Sequence, residues 1–184
     1  MASSAGGLNA LGQILPDLPA GFVPVVVVQH LDPRHRSLMA EILGRRTVLR
    51  VCQAQEGHRL ERGVVYIAAP DRHLLVNGDG SLSLTQTELV HFVRPSADLL
   101  FESVAASYRE RAIAVVLTGS GSDGGMGVRA VKRMGGLVIA QDRSSSDFFG
   151  MPGAAIGTGS VDMILPLNQI AGALVELVQG RAGS

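Results

Sequence analysis

Two runs of consecutive apolar residues limit the possible folds of this 184-residue chain more than any other feature. Residues 23–30 read VPVVVVQH and residues 112–118 read AIAVVLT. Neither run alternates apolar with polar residues, a pattern typical of strands that are buried on both faces. Such strands occur in parallel sheets that helices cover on both sides. The two runs therefore predict an α/β protein with a largely parallel sheet.

Shorter apolar runs and helical patterns alternate along the rest of the chain. Further strands are predicted at 64–68, 137–140 and 161–165, and helices at 8–15, 37–43, 96–109, 123–134 and 167–178. Residues 73–93 differ, because two short apolar runs there flank the sequence NGDG at 77–80. Glycine turn chemistry between two such runs predicts a small antiparallel hairpin.

Composition narrows the class of protein. The length suits a single domain over residues 1–184, and 46% hydrophobic residues suffice for a sizeable core. Sixteen basic residues balance sixteen acidic ones, so no charge excess favours nucleic acid or an anionic membrane. The single cysteine, Cys52, excludes an internal disulfide and a cysteine-built zinc site. With no signal peptide and no apolar run near the ~18 residues of a membrane span, we expect a cytoplasmic protein without membrane insertion.

Three polar segments follow predicted strands or precede predicted helices, at residues 3–7, 29–30 and 118–125. Ligands of open α/β sheets bind beyond the carboxyl ends of the strands. Ser4, His30 and Asp123 would supply the serine, histidine and carboxylate of a hydrolytic triad, in which histidine takes the serine proton and the carboxylate stabilises the histidine. Backbone N–H groups beside the glycines that follow Ser4 could stabilise an oxyanion.

Each of these residues also has an interpretation without catalysis. Ser4 could be a helix N-cap or part of a phosphate cradle, His30 a structural histidine, and Asp123 the N-cap of the helix that follows it. The glycine-rich loops allow a nucleotide-binding module, although no Gly-x-x-x-x-Gly-Lys-Ser/Thr motif occurs. The remaining histidines have no partner pattern and are expected to be structural or solvated: His35, His58, His73 and His91. The aromatic segment FFGMP at 148–152 either lines a pocket or covers the sheet.

Six short segments, taken in order, resemble the catalytic domain of the chemotaxis methylesterase CheB family. The resemblance runs over roughly residues 2–178. The segments are SAGGL at 4–8, QH at 29–30, YIAAP at 66–70, RPSADLLF at 94–101, LTGSGSDG at 117–124 and FGMP at 149–152. No single segment is decisive, but six in order with sensible spacing are highly specific.

The resemblance implies a protein-glutamate methylesterase that acts in chemotactic adaptation. Its substrates would be glutamate γ-methyl esters, and also certain glutamines for deamidation, on the cytoplasmic helices of methyl-accepting chemotaxis receptors. The implied fold is a three-layer α/β/α sandwich with a largely parallel sheet and a small antiparallel hairpin. Ser4, His30 and Asp123 match the family's catalytic residues, and Ser120 matches an oxyanion donor, beside the candidates Ala5 and Gly6. No metal or cofactor is implied.

The sequence departs from the family pattern at two places. Ser120 stands where family members commonly have methionine. The family also has a buried strand leading into Gly-Ala-Ser, whereas this chain reads MASS at 1–4. We therefore expect the first strand, and the family's receiver domain, to be absent from residues 1–184; a receiver domain could belong to a longer protein. A catalytically silent receptor-binding domain and a nucleotide- or phosphate-binding module remain the alternative functions.

Overall fold

Parallel strands form the central sheet of this protein, which we describe from a computed structural model for residues 1–30 and 37–182. Its strands are β1 Ala2–Ser3, β2 Val25–Gln29, β3 Arg50–Gln53, β4 Val64–Ile67, β7 Ile113–Val116, β8 Leu137–Gln141 and β9 Met163–Leu165, with β5 His73–Val76 and β6 Leu82–Thr85 forming a separate pair. The helices are α1 Gly7–Ile14, α2 Met39–Gly44, α3 Ala97–Tyr108, α4 Gly125–Arg133, α5 Gly150–Gly157 and α6 Leu167–Ala182.

The strand order of the sheet is β3-β4-β2-β1-β7-β8-β9, and every neighbouring pair is parallel. β2 and β7, which come from the two long apolar runs, therefore lie near the middle of the sheet, on either side of β1. The pair β5 and β6 is antiparallel. The predicted parallel sheet and the predicted hairpin are both confirmed.

Helices cover both faces of the sheet, so the structure has three layers. On one face, buried side chains of α1, α2 and α6 pack against Val25, Val27 and Val115. On the other, α3, α4, α5 and the hairpin pack against Val28, Tyr66 and Val116. Because successive side chains of a strand point to opposite faces, a strand buried on both faces needs apolar residues at every position. This requirement explains why the central strands lack alternation.

β1 is a two-residue strand at a place where we expected none. Ala2 pairs with Val28 of β2 and also with Val116 of β7. The ladder continues to the first residue, since the Val28 N–H donates to the Met1 carbonyl (2.9 Å) and the Met1 ammonium donates to the Val26 carbonyl (2.7 Å). Ser4, which follows β1, is thus held by two neighbouring strands and not only by the helix after it.

A cavity of about 490 Å³ lies beside Met1, between the amino-terminal parts of β2 and β7, where residues 1–30 and 37–182 contribute no strand. Apolar side chains from both layers line it, among them Phe22, Phe101, Val131 and Leu174. The Met1 ammonium is buried here, and this burial lowers its pKa to about 5.

Besides β1, the strand β3 and the helix α5 were not predicted from the sequence. β3 reads RVCQ and lies at the edge of the sheet, where its ends are exposed and no long apolar run is needed. α5 reads GMPGAAIG, in which three glycines and a proline hide the helical pattern. Elsewhere the boundaries move by a few residues: α2 begins at Met39 and α4 begins at Gly125. Among the helices of residues 1–30 and 37–182, none is long and apolar enough to cross a membrane.

Candidate active site

The three polar segments that the sequence singled out meet at the carboxyl edge of the central sheet. Ser3 pairs with Gln29, so Ser4 and His30 are the next residues on two adjacent strands. The Ser4 N–H donates to the Thr118 carbonyl (3.0 Å) at the end of β7. A Cβ atom added to Gly119 would lie 2.9 Å from the Ser4 Cβ, so only a glycine lets this loop approach Ser4 so closely.

His30 and Asp123 form a direct pair. The His30 Nε2 lies 2.8 Å from the Asp123 Oδ2, and the two side chains are 14% and 3% exposed. With Nε2 donating to the carboxylate, Nδ1 is left to accept a proton. Within the part of the chain that the structure describes, the Ser4 hydroxyl makes no hydrogen bond to His30. A direct contact of about 2.6–3.2 Å between the two, as expected of a nucleophile and its base, stays a prediction.

Asp123 caps a different helix from the one that we considered. The residue before α4 is Gly124, which has a φ of 102° and makes no side-chain cap. The Asp123 carboxylate instead accepts the N–H groups of Ala97 (2.6 Å) and Asp98 (3.1 Å), at the start of α3. Asp123 therefore lies at the amino end of a twelve-residue helix, where the helix dipole favours a negative charge.

These contacts keep the carboxyl of Asp123 ionised. Burial opposes its ionisation, but hydrogen bonds from His30, Ala97 and Asp98 outweigh burial and hold its pKa below the ordinary value. An ionised carboxylate next to His30 stabilises a positive charge on the imidazole, which is what a general base needs during proton transfer.

Asp123 accepts a hydrogen bond from Ser96, which is in turn hydrogen-bonded to His73. The Ser96 hydroxyl donates to the Asp123 Oδ1 (2.9 Å), and the Ser96 N–H donates to the His73 Nδ1 (3.1 Å). His73 is fully buried, and its Nε2 donates to the Glu88 carbonyl (2.9 Å), which fixes the tautomer. We expected a structural or solvated role for His73, and the structure gives it a structural one. The Ser96 interaction with Asp123 was not predicted.

Gln29 forms hydrogen bonds with the backbone of both Ser4 and His30. Its Nε2 donates to the carbonyls of Ser4 (2.7 Å) and His30 (3.0 Å), while its Oε1 accepts the Ser3 hydroxyl (2.5 Å). Gln29 is 6% exposed, so the amide is satisfied almost wholly by the protein. A polar residue at the end of a fully apolar strand was the signal in the sequence, but its partners could only be found in the folded chain.

Three backbone donors surround Ser4. The N–H groups of Ala5, Gly6 and Ser120 have no hydrogen-bond acceptor within residues 1–30 and 37–182, whereas the neighbouring Gly7 N–H is used by the Ser4 carbonyl (2.8 Å). Ala5 and Gly6 lead into α1, and Ser120 is exposed on the loop beside Ser4. Free N–H groups near a serine are the donors that an oxyanion requires.

The aromatic segment at 148–152 and the other histidines were also considered in the sequence analysis. Gly150 packs on the loop after β7, where an added Cβ would be 2.9 Å from the Gly121 nitrogen, so the FFGMP segment supports that loop. Phe148 in the same segment is half exposed, while Met151 is buried in the core between the sheet and the layer of α3, α4 and α5. His58 stacks edge-on against Tyr66. The expectation for His35 lies outside the described residues.

The family model for CheB methylesterase matches residues 1–174. The chain belongs to the CheB methylesterase family. A protein-glutamate methylesterase/protein-glutamine glutaminase from Burkholderia orbicola is 42% identical over 180 residues, which are 97% of this chain and 54% of that protein. A relative from Leptospira interrogans, named for the same two activities, is 40% identical over 96% of this chain and 92% of its own length.

A solved structure agrees with the family assignment. The crystal structure of the Thermotoga maritima CheB methylesterase catalytic domain matches this chain with a TM-score of 0.92 at 39% identity, covering 96% of this chain and 95% of the other. The chain spans about half the length of the Burkholderia relative but nearly all of the Leptospira one, so CheB relatives occur in both lengths.

Asp98, which lies beside Asp123, predicts a pH-dependent stability. Burial raises its pKa, and its Oδ2 has no hydrogen-bond partner in the described residues although His91 lies 3.3 Å away. A raised folded-state pKa stabilises the protein at low pH, and this contribution is lost as the pH rises through that pKa. We expect Asp98→Asn to gain stability relative to the wild type as the pH rises from about 4 to 7, measured as the difference in Tm.

Asp79 supplies a control with the opposite sign. Hydrogen bonds from Ser81 lower the pKa of this exposed carboxyl, so its contribution is lost as the pH falls. The Tm of Asp79→Asn relative to the wild type should therefore fall slightly or stay level over the same range. A constant Tm difference for Asp98→Asn between pH 4 and 7 would contradict the raised pKa of Asp98 in the folded protein.

Proposed function

We propose that this chain hydrolyses glutamate γ-methyl esters with Ser4 as nucleophile, His30 as general base and Asp123 as the carboxylate that stabilises the histidine. The observation that supports this most directly is the 2.8 Å contact between the His30 Nε2 and the Asp123 Oδ2. The register of β1 and β2 also puts His30 beside Ser4. Membership of the CheB methylesterase family agrees with this reaction class.

The first half of the reaction follows from these positions. The His30 Nδ1 removes the Ser4 hydroxyl proton as the Ser4 Oγ attacks the carbonyl carbon of the ester. The oxyanion that forms is held by N–H groups among Ala5, Gly6 and Ser120. The N–H of the residue after the nucleophile, here Ala5, is a recurrent oxyanion donor in serine hydrolases. The imidazolium then protonates the departing methoxide, and methanol leaves.

The second half restores the enzyme. A water molecule gives a proton to His30 and attacks the acyl-enzyme carbonyl; Ser4 leaves and takes the proton back. The products are a free glutamate and methanol, and each step uses only side chains and backbone groups of this chain. Glutamine can follow the same route with ammonia as the leaving group, which is the deamidation that the names of the relatives include.

We propose the cytoplasmic helices of methyl-accepting chemotaxis receptors as the substrate. CheB family membership supports this substrate class, and the free Cys52 is compatible with a reducing compartment. Methanol release from a methylated receptor fragment tests the proposal, with the unmethylated fragment as control. Binding of both fragments without methanol release would favour a catalytically silent receptor-binding domain, and saturable binding of inorganic phosphate without release would favour a phosphate-binding module.

The Ser96 hydrogen bond to Asp123 predicts a loss of turnover. Ser96→Ala removes one of the donors to the carboxylate, and a hydrogen bond to a charged group is worth roughly 1.5–3 kcal/mol. Because the N–H donors of Ala97 and Asp98 remain, we expect kcat to fall about tenfold with little change in KM. The measurement is steady-state methanol release.

Ser103→Ala is the matched control on the same helix. The Ser103 hydroxyl accepts the Val76 N–H (3.0 Å) and donates to the Leu100 carbonyl (2.8 Å), and neither hydrogen bond involves Asp123. Its removal should lower Tm and leave kcat unchanged. Equal kcat losses in the two variants would show that Ser96 acts through helix stability alone.

The short β1 predicts that a longer strand would improve the enzyme. Adding about five apolar residues and a glycine before Ala2 would extend the ladders of β2 and β7 and fill the cavity beside Met1. Each buried backbone group that gains a partner avoids a penalty of roughly 1–3 kcal/mol. We expect Tm to rise by about 5 °C or more and turnover to rise as Ser4 becomes more firmly held. Equal Tm and turnover in both chains would show that the two-residue strand suffices.

A further inference from the structure

We propose that Asp147 distinguishes the product of the reaction from its substrate. The negative charge of Asp147 weakens the binding of a free glutamate beside Ser4 and leaves the binding of the neutral methyl ester almost unchanged. This inference rests on the proposed function, because it places the ester in the space beside Ser4. Asp147 takes no part in the bonds that form and break, so it is a specificity-determining residue.

The Asp147 carboxylate lies against the backbone that follows Ser4. A Cβ atom added to Gly6 would be 2.7 Å from the Asp147 Oδ2 and 3.1 Å from the Asp147 Cβ. The carboxylate therefore occupies the space that a side chain at Gly6 would need. Gly6 is two residues from Ser4, so their Cα atoms are at most about 7.6 Å apart. Because the Gly6 N–H is also one of the donors proposed for the oxyanion, Asp147 forms part of the wall of the site.

Backbone contacts of the next residue hold Asp147 in this place. The Phe148 N–H donates to the Thr118 Oγ1 (2.9 Å), and the Phe148 carbonyl accepts the Gly119 N–H (2.9 Å). The Thr118 hydroxyl also donates to the Ala5 carbonyl (3.0 Å). The segment that carries Asp147 is thus tied to the loop after β7 and, through Thr118, to the residues that lead into α1.

The Asp147 charge is not neutralised by the part of the chain that the structure describes. Asp147 is exposed, and its carboxylate makes neither a hydrogen bond nor an ion pair there. Arg143 belongs to the same loop, but its guanidinium lies over the Phe149 ring, 4.3 Å from the ring centre. Asp123 differs in this respect, because it is hydrogen-bonded to His30 and to the start of α3. The charge of Asp147 therefore acts on the molecule that occupies the site.

The methyl ester and its product differ by one negative charge at this position. The ester is neutral when it binds. In the transition state the imidazolium of His30, which holds the Ser4 proton, balances the charge of the oxyanion, so the summed charge of the site does not change. The product carboxylate has no such partner, because His30 is neutral again. Repulsion by Asp147 therefore acts mainly on the product complex, where it favours release.

Calorimetry with two peptides tests the proposal on the Ser4→Ala protein, which cannot turn them over. One is a helical receptor peptide with a single γ-methyl glutamate, and the other is the same peptide with a free glutamate. At about 10 mM salt, Asp147→Asn in this background should tighten binding of the acid about three- to fivefold and change binding of the ester by less than about twofold. Asp147→Lys, which reverses the charge, should tighten binding of the acid about tenfold. Because mobile ions screen exposed charges, these gains should nearly vanish at about 0.5 M salt.

Methanol release by the active enzyme gives a second readout. The acid peptide should inhibit Asp147→Asn about three- to fivefold more strongly than the wild type, with little change in the KM of the ester. Asp17→Asn is the matched control. Asp17 is also exposed, but it lies beyond the end of α1, whose eight residues span about 12 Å, and its removal should change neither binding constant.

Three results would overturn the role of Asp147. They are unchanged binding of the acid by Asp147→Asn, equal tightening of ester and acid, and equal tightening in Asp17→Asn. Tightening that persists in full at high salt would also contradict it, since the effect would then not be electrostatic. Binding of neither peptide to the Ser4→Ala protein would instead contradict the proposed receptor substrate, and this inference with it.

Discussion

Ser4→Ala should reduce methanol release from a methylated receptor fragment to background, a loss of about 10⁵-fold or more in kcat. Removing the nucleophile of a serine hydrolase costs a factor of this size because no other group can form the acyl-enzyme. In this chain the substitution removes one oxygen atom. The Ser4 backbone contacts to Thr118 and Gln29 involve its N–H and carbonyl groups, so the strand ends should stay in place.

Ser3→Ala is the control for this variant. Ser3 is fully buried and its hydroxyl donates to Gln29, so the substitution removes a hydrogen bond next to the site but leaves the Ser4 hydroxyl in place. We expect it to lower Tm and to reduce kcat far less than Ser4→Ala. A Ser4→Ala protein that remains folded and releases methanol at the wild-type rate would exclude Ser4 as the nucleophile.

Asp123→Asn should reduce kcat by about 10³–10⁴-fold while KM changes little. In a well-studied serine protease the same change costs about 10⁴ because the histidine then adopts the wrong tautomer. Here the amide also cannot stabilise a positive charge on His30, 2.8 Å away. The Ala97 N–H donates to Oδ2 and the Asp98 N–H to Oδ1, so the single Asn oxygen, placed at the Oδ1 position, still accepts the Asp98 N–H. α3 therefore keeps part of its cap, and the variant should fold.

Acid stability offers a second measurement on Asp123→Asn. Since the pKa of Asp123 is lowered in the folded chain, its contribution to stability is present above the ordinary carboxyl pKa, about 3.9, and is lost as the pH falls through the lowered value. The stability advantage of the wild type over the variant should shrink below about pH 4. A stability advantage of the wild type that grows as the pH falls would contradict the lowered pKa of Asp123. An unchanged kcat in Asp123→Asn would show that Asp123 serves only as a helix cap.

The sequence predicted the elements whose residue pattern follows from burial. β2 and β7 are recognisable because strands covered on both faces must be apolar throughout, and β5 and β6 because glycines mark their turn. β3 and α5 could not be found in this way. An edge strand of four residues needs no continuous apolar run, and the glycines of α5 weaken its helical pattern.

The site was predictable in its residue types but not in its supporting contacts. Ser4, His30 and Asp123 could be chosen because reactive side chains gather beyond strand ends. That Asp123 caps α3, and not α4, depends on how the α3 start packs beside the loop after β7, about 25 residues away in sequence. The role of Gln29 likewise depends on the register of β1 and β2, which brings Ser4 beside His30.

β1 illustrates a further limit of reading elements from local sequence. Its two residues carry no recognisable strand pattern, and they form a strand because β2 and β7 offer them hydrogen bonds on both sides. Tertiary context of this kind overrides local propensity. The position of Ser4 thus depends on strands that lie about 25 and 115 residues further along the chain.

Covalent labelling of the protein tests most directly whether Ser4 is the nucleophile. A fluorophosphonate reacts with serines that an adjacent base activates, and mass spectrometry of the digested protein locates the adduct. We predict a single adduct on Ser4, absent from Ser4→Ala, retained in Ser3→Ala and formed much more slowly in Asp123→Asn, with methanol release lost in step with labelling. Labelling of a different residue, or full methanol release from protein whose Ser4 is completely labelled, would contradict the assignment of Ser4, His30 and Asp123 as a catalytic triad.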